Sequence, residues 1–149
     1  SGALEDGMRL DSFRFLVGPL VLVLAVAGSA AAQETSLVGT WALDLKASTD
    51  YYTTVLGMTM DFEAPGWSFL SRGAFRVMLG ECTDAIPPAQ LGDHSYYGYI
   101  TVNEVDSLCV EYRRSGAEFT QPLASKPWGM REFGIRTLDG HRLMFGQEL

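Results

Sequence analysis

The five residues "RVMLG" (76–80) return as "RLMFG" (142–146), with Arg, Met and Gly at matching places. A chain that repeats one pattern folds as copies of one unit, which restricts its architecture more than any other feature here. Upstream of each motif a helical pattern ends at a glycine, Gly57 in "YYTTVLGM" and Gly116 in "EYRRSGAE". Each glycine suits the left-handed position that closes a helix. The first helix is expected to begin near Ala47–Ser48 and the second near Asn103–Val105, where Asn103 would cap free N–H groups. Each half then reads strand, helix, three strands. Module 1 (about 36–80) places strands at 37–44, 58–63, 67–71 and 74–80 and a helix at 47–56. Module 2 (about 95–148) places strands at 96–102, 117–121, 130–137 and 141–147 and a helix at 104–115. Residues 81–94, with the pair Pro87-Pro88, link the two. Two βαβββ modules make an α+β domain, with a curved mixed sheet inside and helices outside.

Composition narrows the function. A length of 149 residues suits a single domain, here 33–149, and 47% hydrophobic with 19% charged residues suits a globular one. The net charge is −7, and no basic cluster exceeds the pair Arg113–Arg114. A nucleic-acid partner, which demands a basic footprint, is thereby excluded. Residues 15–32, "FLVGPLVLVLAVAGSAAA", are uncharged and follow Met8, Arg9 and Arg14, the layout of a secretory signal. Cleavage after Ala32 would leave Gln33 as the mature N-terminus, an exported protein and no membrane span. A membrane anchor or a buried first helix is the alternative. Residues 1–7 precede Met8 and read as added or upstream sequence. An exported protein could bridge Cys82 and Cys109, but Cys109 falls in the helical pattern Val105, Leu108, Cys109, Tyr112, where a buried thiol is the simpler expectation.

The last hairpin is legible in detail. Thr137-Leu138-Asp139-Gly140 suits a type I turn with Gly140 left-handed. That turn pairs Arg136 with Arg142, Ile135 with Leu143, Gly134 with Met144 and Phe133 with Phe145. Phe133, Ile135, Leu143 and Phe145 then share the apolar face, while Glu132, Gly134, Arg136, Arg142 and Met144 share the other. Strand 96–102 alternates too, with Tyr97, Tyr99 and Thr101 opposite Gly98, Ile100 and Val102. One sheet face therefore offers Tyr97, Tyr99, Glu132, Arg136, Arg142 and Met144, and by the repeat Arg76 and Met78. Curved into a trough, this mix of aromatic walls and placed polar groups suits a small ligand. Trp128, in the loop before the hairpin, is a stacking surface at its lip or a dimer contact. Trp41 and Trp67 are read as core or interface.

The duplicated pattern, with "ASTDYYTTVLGM" in one half and "WGMREFGIRTLDGHRLMFG" in the other, resembles the vicinal oxygen chelate superfamily over roughly residues 36–147. This group includes glyoxalase I, extradiol dioxygenases, fosfomycin-resistance enzymes and bleomycin-resistance proteins. The resemblance implies a U-shaped sheet whose concavity is the site, often completed by a homodimer. Its enzymes hold a divalent metal through His or Gln on the first strand, His on the first strand of the second module, and Glu on the last strand. Those positions fall here at Leu37, Tyr97 and Met144, which do not make an N/O divalent site. The resemblance thus implies a metal-free, bleomycin-resistance-like binder of an aromatic or drug-like molecule. Its ligand would stack on Trp128, Tyr97 and Tyr99, beside Met144, and be held by Glu132 and Arg142. Two other readings stay open. One is a metal-dependent lyase, isomerase or dioxygenase drawing on His94, Glu132, His141 or Glu148; the other is a subunit that lends its sheet to an assembly. In the first reading His141 is a solvated turn residue, and Glu132 either anchors ligand or pairs with Arg142 or Arg136.

Overall fold

A computed structural model describes residues 36–149, apart from the side chains of Ser36, Asp93 and His94. The signal-like segment 15–32 lies outside the described residues. Asp44 starts the first helix: its backbone is extended and its carboxylate accepts the Ala47 N–H at 3.0 Å, replacing a hydrogen bond that a first turn lacks. Helix α1 runs Leu45–Thr54, so the cap is Asp44 and the start lies two residues earlier than Ala47. Helix α2 runs Val105–Ser115 and closes at Gly116, whose φ of 87° is the left-handed value that a glycine tolerates without cost. Its start corrects the sequence reading. Asn103 does not cap it, and the N-cap residue Glu104 makes no side-chain bond. Instead the free N–H of Val105 donates to Gln147 Oε1 at 3.1 Å, a cap lent by the distant end of the chain.

The strands are β1 (Ser36–Ala42), β2 (Thr59–Ala64), β3 (Trp67–Arg72), β4 (Phe75–Glu81), β5 (Tyr96–Thr101), β6 (Glu118–Ser125), β7 (Met130–Arg136) and β8 (Arg142–Glu148). They form two mixed sheets of four with the same plan, β1-β4-β3-β2 and β5-β8-β7-β6, neither of them closed. In each, the module's first strand runs parallel to its last, β1 with β4 and β5 with β8. The α+β duplication expected from the repeat is what the chain adopts. The hairpin register is also as expected, Arg136 opposite Arg142 through Phe133 opposite Phe145, with Gly140 at φ 96°.

Each sheet buries one face. Leu70, Val77 and Leu79 from the first sheet and Phe133, Ile135, Leu143 and Phe145 from the second meet Tyr52, Cys109 and Tyr112 of the helices, and Leu56 just past α1, in one core. Phe133 and Phe145 stack at 5.3 Å, and Tyr112 meets both rings edge-on. Each such side chain, fully buried, is worth roughly 1.5–3 kcal/mol. Cys109 is a free thiol in this core and Cys82 is free in the linker, so no bridge joins them. Arg72 reaches α2 as a two-pronged ion pair with Glu111 at 2.7 and 2.8 Å, and also donates to the Leu56 carbonyl. No helix among the described residues is long and apolar enough to cross a membrane.

Candidate functional site

The second sheet's outer face brings most of the expected site residues together. Glu132 on β7 sits opposite Gly146 on β8, and Tyr99 on β5 lies across that glycine. A Cβ at Gly146 would come within 1.9 Å of the Tyr99 hydroxyl, so only glycine lets the ring lie flat there. The Tyr99 hydroxyl thereby donates to Glu132 Oε2 at 2.8 Å, and Trp128 Nε1 approaches the same oxygen at 3.5 Å. Glu132 is only 5% exposed, whereas Tyr99 and Trp128 are 48% and 65% exposed. Partial burial, followed by the bond to Glu132, pushes the Tyr99 phenol up to about 12. No arginine pairs with Glu132 among the described residues; Arg136 instead lies 3.2 Å from Glu118. With Tyr96, Tyr97, Gln121 and Met144 these groups line an open hollow of about 640 Å³. That volume falls within the range of small-molecule sites.

Strand β5 departs from simple alternation. A bulge between Tyr96 and Gly98 sets Tyr96 opposite Arg142 and Tyr99 opposite Met144. Tyr97, the extra residue, lines the hollow in part but sends its hydroxyl inward to the Tyr52 hydroxyl. Burial raises the pKa of both phenols. Tyr96, not among the residues expected from the sequence, lines the hollow beside Tyr97, and the Arg142 guanidinium lies over its ring at 5.3 Å. Arg76 and Met78 occupy the corresponding face of the first sheet, not this one. There Gly80 plays the part of Gly146: Trp41 and Trp67 cover it, and a Cβ would meet each ring at 2.7 Å. Trp41, 53% exposed, is therefore not a core residue.

The turn histidine is not a solvated residue. His141 is partly buried, its Nε2 lies 2.6 Å from Thr40 Oγ1 and 3.1 Å from the Trp41 carbonyl, and Tyr97 packs edge-on to its ring. Its neighbour Asp139 is buried and clamps module 1, accepting from Leu43 N at 3.0 Å and from the Ser48 hydroxyl at 2.6 Å. Neither role leaves a turn signature in the sequence, because both partners lie some hundred residues away. The His94 side chain lies outside the described residues. No cluster of three or more His, Cys, Asp or Glu able to hold a metal occurs among the described residues. Leu37 stands on the first sheet opposite Arg76, and Met144 stands on the second beside Tyr99, so the donors at the enzymes' ligand positions do not fit a divalent ion.

The profile of the Glyoxalase/Bleomycin resistance protein/Dioxygenase superfamily matches residues 38–145, and the chain belongs to this superfamily. Among solved structures it is similar to TioX from Micromonospora sp. ML1, with 25% identity, a TM-score of 0.65, and 78% of this chain and 100% of that chain covered. It shares its fold with a bleomycin-binding protein from Streptomyces verticillus, solved with copper(II)-bleomycin, at 23% identity and a TM-score of 0.60, covering 74% and 92% of the two chains. A lactoylglutathione lyase from Agrobacterium tumefaciens has the same fold at 19% identity and a TM-score of 0.57, covering 74% and 90%. No curated protein matches the sequence.

Proposed function

We propose that the protein is a metal-independent binder of a small aromatic molecule, held on the outer face of the second sheet. The observation that carries this is the hollow itself: Glu132, buried and gripped by Tyr99 and Trp128, faces aromatic walls and Met144. Ligand rings stack on Trp128 and Tyr99, Glu132 takes a ligand donor, and Arg142 borders the far end over Tyr96. Such recognition needs no bond-making, only aromatic area and a few placed polar groups. The superfamily contains both binders and enzymes, so the donor set at the Leu37, Tyr97 and Met144 positions is what favours the binder. Protein purified without chelator is expected to hold no stoichiometric divalent metal. Trp128→Ala should weaken binding of a fluorescent aromatic probe at least tenfold, with an unchanged circular dichroism spectrum. Stoichiometric metal, lost on Glu132→Gln, would instead give the metal-dependent lyase or dioxygenase reading.

In this reading the protein acts as a homodimer. The first sheet's outer face leaves Leu37, Trp41 and Phe62 more than half exposed, and Trp67, Phe69 and Met78 adjoin them in a contiguous apolar patch of the kind that marks an interaction surface. Sedimentation equilibrium is expected to give twice the chain mass, and Trp41→Glu to give the single mass. A wild-type monomer at 50 μM would rule the dimer out.

A further inference from the structure

The ligand's charge is written into the hollow. Glu132 is 5% exposed, and its two donors among the described residues, the Tyr99 hydroxyl and the Trp128 indole, converge on Oε2. Oε1 accepts from no described residue. Oε1 is not one of the buried unpartnered atoms, so it opens into the hollow, where a ligand's donor or counter-charge can meet it while neutral donors hold only the other oxygen. The groups that surround it are tyrosine, tryptophan and methionine, with Gln121 as the other polar side chain; among the described residues no cation is part of the lining, and Arg142 reaches only its far end, over Tyr96. Lys126 holds its ammonium 5.8 Å from the Trp128 ring centroid and is not part of the lining. Exposed faces of Tyr and Trp attract cations through their ring quadrupoles, and a carboxylate amid such rings adds a full charge to that attraction.

We propose that the ligand is an organic cation: an aromatic or alkyl molecule whose ammonium or amidinium group sits against Glu132 Oε1, between the rings of Tyr99 and Trp128. This proposal rests on the binding role given to the hollow above, and adds to it the sign of the charge that the ligand carries. It also gives Tyr99 a specific task. Its phenol fixes Oε2, which turns the second oxygen to the ligand.

The test uses two fluorescent probes of nearly the same shape, 9-aminoacridine, a cation at neutral pH, and acridine, neutral at the same pH. Binding is read by probe anisotropy and Trp quenching at 150 mM salt, where the diffuse attraction of a chain with net charge −7 is screened. Wild type is expected to bind 9-aminoacridine at least tenfold more tightly than acridine. Glu132→Gln, which keeps the shape and the acceptor for Tyr99, is expected to bring the ratio to within twofold of one. Tyr99→Phe, a second variant, is expected to reduce the ratio without abolishing it. A wild-type ratio near one, or a ratio that survives Glu132→Gln, overturns the cation proposal and leaves the binding role standing. If neither probe binds wild type, the binding role itself fails and the proposal falls with it.

Discussion

Asp139→Ala is expected to lower the stability of the protein by about 3 kcal/mol, although the residue sits in a hairpin turn. The reason lies in what its carboxylate satisfies. Oδ1 accepts the Leu43 N–H at 3.0 Å, and Oδ2 accepts the hydroxyl of Ser48, whose side chain has no solvent exposure at all. Truncation leaves two donors behind, one of them wholly buried, and each buried unsatisfied group costs roughly 1–3 kcal/mol. Asp139→Asn retains one acceptor and should cost about half as much. For a domain of this size the alanine variant should melt roughly 10 °C below wild type. A fall of less than about 2 °C, read by circular dichroism, would mean that the clamp contributes nothing net.

Gly146→Ala is expected to do the reverse, removing function while leaving the fold nearly intact. The backbone at Gly146 needs no glycine conformation, since its φ is not positive. A methyl group there would instead stand 1.9 Å from the Tyr99 hydroxyl and 2.7 Å from its Cζ. Tyr99 is half exposed and can swing outward, so the clash is relieved by the ring leaving rather than by the sheet deforming. Glu132 then loses its best donor, and the stacking surface is gone. Two readouts follow. Binding of an aromatic cation should fall at least tenfold while the melting temperature moves by only a few degrees. The Tyr99 phenol, freed from the hollow, should titrate closer to an ordinary tyrosine than to about 12. Retained binding with an unmoved phenol would show that the ring is not held over the glycine.

These two variants mark where sequence reasoning reached and where it stopped. The β7–β8 register was legible because a turn of known length meets a strict alternation of Phe, Ile and Leu with polar residues, and one-residue slips would bury arginine. The duplicated architecture followed from a repeated motif. The inward turn of the Tyr97 hydroxyl and the entry of Tyr96 were not legible, because a bulge adds one residue without altering composition, and alternation carries no mark of it. The roles of Asp139 and His141 were hidden for a different reason: their partners Leu43, Ser48 and Thr40 are close only after both modules have folded. Asn103 is a good cap by type, yet Gln147 had the better position. The glycines of the repeat were seen as a pattern, but their purpose needs a third strand's side chain lying over them.

That purpose bears on how such a chain diversifies. In both modules the closing glycine of the motif is a bare patch of backbone roofed by aromatic rings, Trp41 and Trp67 over Gly80 and Tyr99 over Gly146. A new specificity then requires no change in the backbone beneath. Exchange of the roofing ring alone alters what the surface recognises, and each half can do so independently. After duplication, one copy could become a hydrocarbon seal and the other a receptor without either sheet being rebuilt.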